Sequence, residues 1–240
     1  MNIFDIIIIL FIISFGVVGL KRGVIKEGVS FIGILLVFII SYSFKGIIGN
    51  TLCKLFPFFA LEGNLEGLVS VNILIYQLLG FAILFGILMI AYNILVFFSK
   101  ILQKFINATI VLTIPSAIGG ALVGLIKGYL LAFIALLVLS LPLKNVALLN
   151  DSTVKNHILY NTPVISSATK DISLSILDVT DLLKQIKEKS ISTNDANLQI
   201  LDTMLEYKMV DVHTIDQLIV LDKLKSISDI DSVLNKYREG

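Results

Sequence analysis

Residues 114–141 read IPSAIGGALVGLIKGYLLAFIALLVLSL, with Lys127 as the one charged side chain in the run. As a helix this stretch would be about 40 Å long, more than the ~30 Å hydrocarbon core of a bilayer. Its small residues are ordered. Ser116, Gly120, Gly124 and Gly128 recur every four positions, which stacks them on one helix face and lets another backbone approach closely. Two uses of that face are open: packing within the chain, or a homo-oligomer seam or pore-lining contact.

Three further apolar runs precede it, at Ile3–Leu20, Gly28–Gly49 and Val71–Phe98, and each is long enough to cross a membrane. The whole chain of 240 residues agrees, with 56% hydrophobic and only 15% charged residues and a mean hydropathy of +0.93. A soluble domain of this size leaves too much surface in water to hide so much apolar material. The charges are also unevenly placed. Residues 1–141 hold 8 Lys/Arg against 4 Asp/Glu, and residues 142–240 hold 11 against 14. The expected fold is therefore an all-α integral membrane protein. About four transmembrane helices (1–141) precede a helical, amphipathic polar C-terminal region outside the membrane (142–240).

Between the apolar runs, Asn50–Ser70 reads as an interfacial loop. Ser99–Ala108 reads as a short surface-lying helix with Ile101, Leu102, Phe105 and Ile106 on one face. Phe4–Leu20 is read as a retained helix: no Lys or Arg precedes it, and no small-x-small cleavage site follows. Lys21, Arg22, Lys26, Lys100 and Lys104 flank one membrane side; Lys45, Lys54, Lys144 and Lys155 flank the other. The first helix has a bias of 3 to 0, which places the basic turns in the cytoplasm and both termini outside.

The polar region reads as helical. Ile165, Ala168, Ile172, Ile176, Val179, Leu183 and Ile186 form one apolar stripe at spacings of 3 and 4. Ser192-Thr193-Asn194-Asp195 caps a helix carrying Leu198, Leu201 and Leu205, and shorter helices are expected at Thr214–Leu224 and Asp229–Arg238. Such a region could pack on itself, on the membrane, or on a protein partner.

Several chemistries lack their residues. The net charge of +1 gives no basic footprint for nucleic acid. Cys53 is alone, so it forms no internal disulfide and no thiolate metal cluster. His157 and His213 both lie in the polar region, where a solvated surface position is the default. The membrane half therefore offers no His base for a zinc or serine mechanism. No phosphate-cradling or dinucleotide-binding glycine motif is present. No catalytic residues, no cofactor and no metal are expected.

The candidate functional charges are Asp5, Lys21, Arg22 and Lys127. Counted from Ile114, Lys127 lies about 20 Å along its helix. A lysine at that depth is a functional hypothesis by default; the alternatives are snorkelling or a re-entrant segment that keeps it near water. Asp5, Glu27, Glu62 and Glu66 are its available counter-charges. Asp5 also reads as an exposed helix-start acid favoured by the dipole. Tyr76, Gln77, Tyr92 and Asn93 read as interhelical or interfacial groups. A short echo links Val18-Gly19-Leu20-Lys21-Arg22-Gly23 with Val123-Gly124-Leu125-Ile126-Lys127-Gly128; an internal repeat would suggest a pseudo-symmetric bundle.

Asp5 with its apolar run, then Gly19-Leu20-Lys21-Arg22-Gly23 and Glu27, resembles the opening of the colicin V production protein (CvpA) family. Pro115-Ser116-Ala117-Ile118-Gly119-Gly120, Gly124 and Lys127-Gly128 resemble that family's last membrane segment. The resemblance covers about residues 3–140. Where members often carry an Asp-Arg pair upstream of the glycines, this chain has Leu112-Thr113-Ile114-Pro115. The resemblance implies a multi-pass protein of the bacterial plasma (inner) membrane, linked to toxin production or export and to envelope function. Three readings follow. The first is a non-enzymatic membrane protein in contact with lipid, and as a homo-oligomer or with a protein partner bound through 142–240. The second is a small oligomeric channel or transporter using the fourth helix and Lys127. A membrane enzyme ranks last.

Overall fold

In the computed structural model, the structure describes residues 2–105, 114–139, 152–162, 181–182, 185–186, 188 and 190–238. Among them are four helices long and apolar enough to span a membrane, and no strand. They are α1 (Ile3–Arg22), α2 (Val24–Leu55), α3 (Val71–Phe105) and α4 (Ile114–Leu139). A 3-10 turn (Gly63–Leu65) precedes α3. After α4 come α5 (Thr153–Tyr160), α6 (Thr193–Glu206), α7 (Val212–Val220) and α8 (Ile230–Arg238). The chain is an all-α membrane protein.

Several boundaries differ from the sequence reading, and α2 differs at both ends, starting at Val24 rather than Gly28. The expected loop at Asn50–Ser70 begins later, because α2 continues to Leu55. The polar side chains of that last stretch have partners: Asn50 accepts from Gln77 Nε2 at 2.5 Å, and Thr51 Oγ1 donates to the Ile47 carbonyl at 2.8 Å. The separate helix expected at Ser99–Ala108 is instead a continuation of α3 as far as Phe105. Its last residues, 106–108, lie outside the described residues, as does most of the stripe expected from Ile165 to Ile186.

The chain divides into two compact units. One comprises Met1–Ser43, Ala82–Leu139 and Val146–Asn161; the other comprises Phe44–Phe81, Ser140–Asn145 and Thr162–Gly240. α2 and α3 run from one into the other.

In the first unit, α1 and α4 pack antiparallel. Their apolar outer positions, including Ile3, Ile7 and Leu10 on α1 and Ile118, Leu122 and Ile126 on α4, stay open. A helix needs such a surface where it meets lipid, because its backbone groups are already satisfied internally.

In the second unit, the end of α2 and the start of α3 join the polar helices. Ser192, within the expected cap, forms a capping box with Asp195 on α6. α7 starts at Val212, two residues before the expected Thr214, because Asp211 is its cap. α8 starts one residue inside the expected span. Ala196, Leu201, Met204, Ile215, Leu218 and Leu234 fill a common apolar interior.

Asn197 fastens this interior to the chain before α3. Its Oδ1 accepts from the Ser70 backbone N–H at 2.9 Å, and its Nδ2 donates to the carbonyls of Gly67 at 2.9 Å and Thr193 at 3.0 Å. Ser70 Oγ returns a bond to the Asn197 carbonyl at 3.1 Å. Asn197→Ala leaves the buried Ser70 N–H without its partner, a loss worth about 1–3 kcal/mol. Faster hydrogen exchange at Ser70 and across α6, together with a lower melting temperature, is the expected result.

Candidate functional site

The geometry of α1 dictates the site. Gly23 ends the helix at φ 78°, a left-handed value that suits glycine, and its N–H donates to the Gly19 carbonyl at 3.0 Å. α2 starts at once. Its first N–H, on Val24, would be an orphan donor. Ser116 Oγ on α4 accepts it at 3.4 Å. From that corner the small residues of α4 descend along α1. A Cβ on Gly120 would collide with the Gly19 carbonyl oxygen and lie 2.7 Å from the Gly23 carbonyl carbon. One on Gly124 would strike the Phe15 carbonyl and lie 3.2 Å from Gly16 Cα. One on Gly128 would lie 3.0 Å from the Ile12 carbonyl oxygen. Gly120, Gly124 and Gly128 thus meet α1 of the same chain, and Ser116 meets the first residue of α2. Gly16, Gly19 and Gly23 are the complementary residues. The echo between residues 18–23 and 123–128 is two stretches supplying small residues to one shared contact.

Lys127 lies beside this seam. Its Nζ stands 5.5 Å from the centre of the Phe15 ring, about two-thirds of the way along α1. It forms an ion pair with Glu27 of α2 and lies 3.5 Å from Ser30 Oγ. Glu27 is fully buried and Lys127 nearly so. Arg22, at the end of α1, reaches the same carboxylate at 3.6 Å with its side chain half exposed. From α3, Tyr92 donates its hydroxyl to the Ser30 carbonyl at 3.4 Å, and Gly33 leaves room for the Tyr92 ring. One buried carboxylate therefore gathers two cations, and all four long helices contribute to its surroundings. Such a pair is stable in a low-dielectric setting only with good geometry, and losing either partner strands a charge.

Asp5 is at the other end of α1, apart from this cluster. It is buried, which corrects its reading as an exposed helix-start acid. It closes a capping box with Asn2. Its Oδ1 also accepts from Ser152 Oγ at 2.5 Å and from the Val154 N–H at 3.1 Å, so one carboxylate serves the starts of α1 and α5. α5 has no counterpart in the sequence reading. The signal for it was present, since Ser152 stands one residue before its start and accepts from the Lys155 N–H. Lys21 lies exposed near the α1–α2 corner.

Glu27 was one of four candidate counter-charges, and it is the one that α2 places against Lys127. Ser30 was missed, because a serine inside an apolar helix gives no pattern. His157 and His213 are exposed. Among the described residues, no group of three His, Cys, Asp or Glu side chains is arranged to hold a metal.

The comparisons with known proteins accord with this architecture. The family described as Colicin V production protein matches residues 4–163, which takes in α1 to α5 and every residue of the cluster. No curated protein and no solved structure matches the chain. The match spans well over half of the chain and agrees with four spanning helices, so this protein belongs to the colicin V production family.

Proposed function

We propose that the chain is a non-enzymatic scaffold of the bacterial inner membrane that supports toxin or peptide production or export and envelope function. The observation that carries this reading is the Glu27–Lys127 pair. The deepest charge on α4 is committed to a neighbouring helix of the same chain, as are the glycines beside it. Charges and small residues used in this way hold a bundle in one arrangement. Family membership supports the link to toxin production. In this reading residues 1–141 form the bundle, and residues 142–240 lie outside the hydrocarbon core and engage a protein partner or a second copy. Lipid surrounds the long helices.

Both termini lie on the outer side, a reading supported by the three basic residues of the first turn. A reporter fused after Gly240 should read outside. An inside signal would overturn this orientation. Purification in mild detergent from toxin-producing cells should retain a homo-oligomer or a partner that is lost when residues 142–240 are removed. A monomer that carries nothing counts against the scaffold.

A channel or transporter is the second reading. The observation favouring it is the half-exposed Arg22, which leads from the α1–α2 corner towards the buried pair. Reconstituted protein should then show solute flux that Lys127→Ala alters, and silence across ions and small solutes removes this reading.

A further inference from the structure

The end of α2 is tied to the polar helices at two points. Asn50 Nδ2 lies 3.4 Å from Asp211 Oδ2, and Asp211 caps α7. Lys223, three residues beyond α7, donates its ammonium to the carbonyls of Cys53, Lys54 (2.8 Å) and Phe56 (2.7 Å). These are carbonyls that a helix end leaves without intrahelical partners, and a lysine has three protons to give them. The turn that ends α7 is therefore held at the level where α2 stops.

That turn is Ile219-Val220-Leu221, and all three side chains are open, Val220 at 83%. A run of three exposed apolar residues on a polar module is a defect unless it meets something. Across the tether, Leu55 is 73% exposed and Phe56 is also open. They are no isolated patch. Phe44, Ile47, Thr51 and Leu55 are exposed at spacings of 3, 4 and 4, so they share one face of α2. This face belongs to a helix long and apolar enough to span the membrane, and it continues to the helix end.

We infer that Ile219-Val220-Leu221, together with Leu55 and Phe56, is a wedge that seats the polar module in the interfacial layer of the bilayer. The apolar face of a membrane-spanning helix runs into this surface, which makes lipid its occupant. The wedge carries no charge, so zwitterionic lipid suffices. Interfacial apolar groups of this kind sit roughly 5–10 Å into the boundary between headgroups and acyl chains.

The test uses the full chain in phosphatidylcholine nanodiscs, with an environment-sensitive fluorophore on Val220→Cys. Cys53 is buried, and the parent protein reports any labelling there. Asn235→Cys, on the exposed polar side of α8, serves as the comparison. At position 220, nitroxide-labelled lipid should quench strongly and aqueous iodide several-fold less than at position 235. Strong iodide quenching with no lipid quenching at 220 overturns the wedge. Protection from both quenchers also overturns it, because the turn would then be covered by protein; disulfide cross-linking through 220 would identify a second copy as the cover.

Discussion

Gly120→Leu is expected to separate α1 from α4 and leave the first unit without a stable fold. The added side chain would start where the Gly19 carbonyl already stands, and Gly23 lies just behind it. Overpacking a side-chain core typically costs about 1–3 kcal/mol, because neighbours move to new rotamers. Here the neighbours are backbone atoms of a helix and of its left-handed corner, and no rotamer relieves them. The effect should therefore reach or pass the top of that range, a large share of the ~5–15 kcal/mol that holds a typical protein folded. Gly120→Ala already introduces the offending Cβ, so it should lose much of the same stability. Gly28→Ala and Gly86→Ala supply the contrast. Nothing lies within 4 Å of a Cβ at either site, so they should be neutral or gain up to about 1 kcal/mol from helix propensity. Thermal unfolding in detergent, scored by aggregation and by near-ultraviolet dichroism, distinguishes the sets. Equal melting temperatures for Gly120→Ala and Gly28→Ala would refute the seam.

The ion pair should give a large and asymmetric response. Lys127→Met leaves the Glu27 carboxylate buried, with Arg22 as its remaining cation at 3.6 Å. Glu27→Leu leaves the Lys127 ammonium with the Ser30 hydroxyl and the Phe15 ring. Breaking a buried pair from one side costs about 3–5 kcal/mol, whereas replacing both partners by apolar residues is often neutral. Both single variants should be severely destabilised, Glu27→Leu the more so. The double variant Glu27→Leu with Lys127→Met should recover most of the loss. A double-variant cycle on melting temperature or steric-trap stability measures the coupling. Additive losses would mean that the two residues act independently. A double variant that folds but fails in toxin production would show that the pair serves function as well as packing.

The four long helices were legible because membrane-length apolar runs need no tertiary information to be recognised. Their ends were not. α2 passes through Asn50, Thr51 and Lys54, which look like a loop in isolation. They are helical because Gln77 satisfies Asn50 and the helix's own carbonyl satisfies Thr51. The glycine face of α4 was visible in its four-residue spacing, yet spacing cannot say which backbone fills it. The same holds for Lys127. Its depth could be counted along one helix, but its partner lies 100 positions earlier on another helix, α2, and only the packing of the helices brings the two together. Asp5 shows the reverse case. Its local role as a helix-start acid was readable, and its burial depends on Ser152, far along the chain. In the polar region Ser192 and Asp195 fixed the start of α6, because a cap is a local device, whereas the Asp211 cap of α7 was passed over.

The contact between α1 and α4 also sets an order of events. Val24 and Ser116 are 92 residues apart in sequence, and the chain is made from its N-terminus. At roughly 5–20 residues per second, α1 waits on the order of ten seconds in the membrane before the helix that covers its glycines exists. Through that interval the groove along Gly16 and Gly19 is open, and Glu27 has no Lys127. A nascent chain stalled before residue 114 would thus hold an acid inside a half-built bundle. It would be a ready substrate for membrane quality control, and completion of α4 is the step that releases the chain from that surveillance.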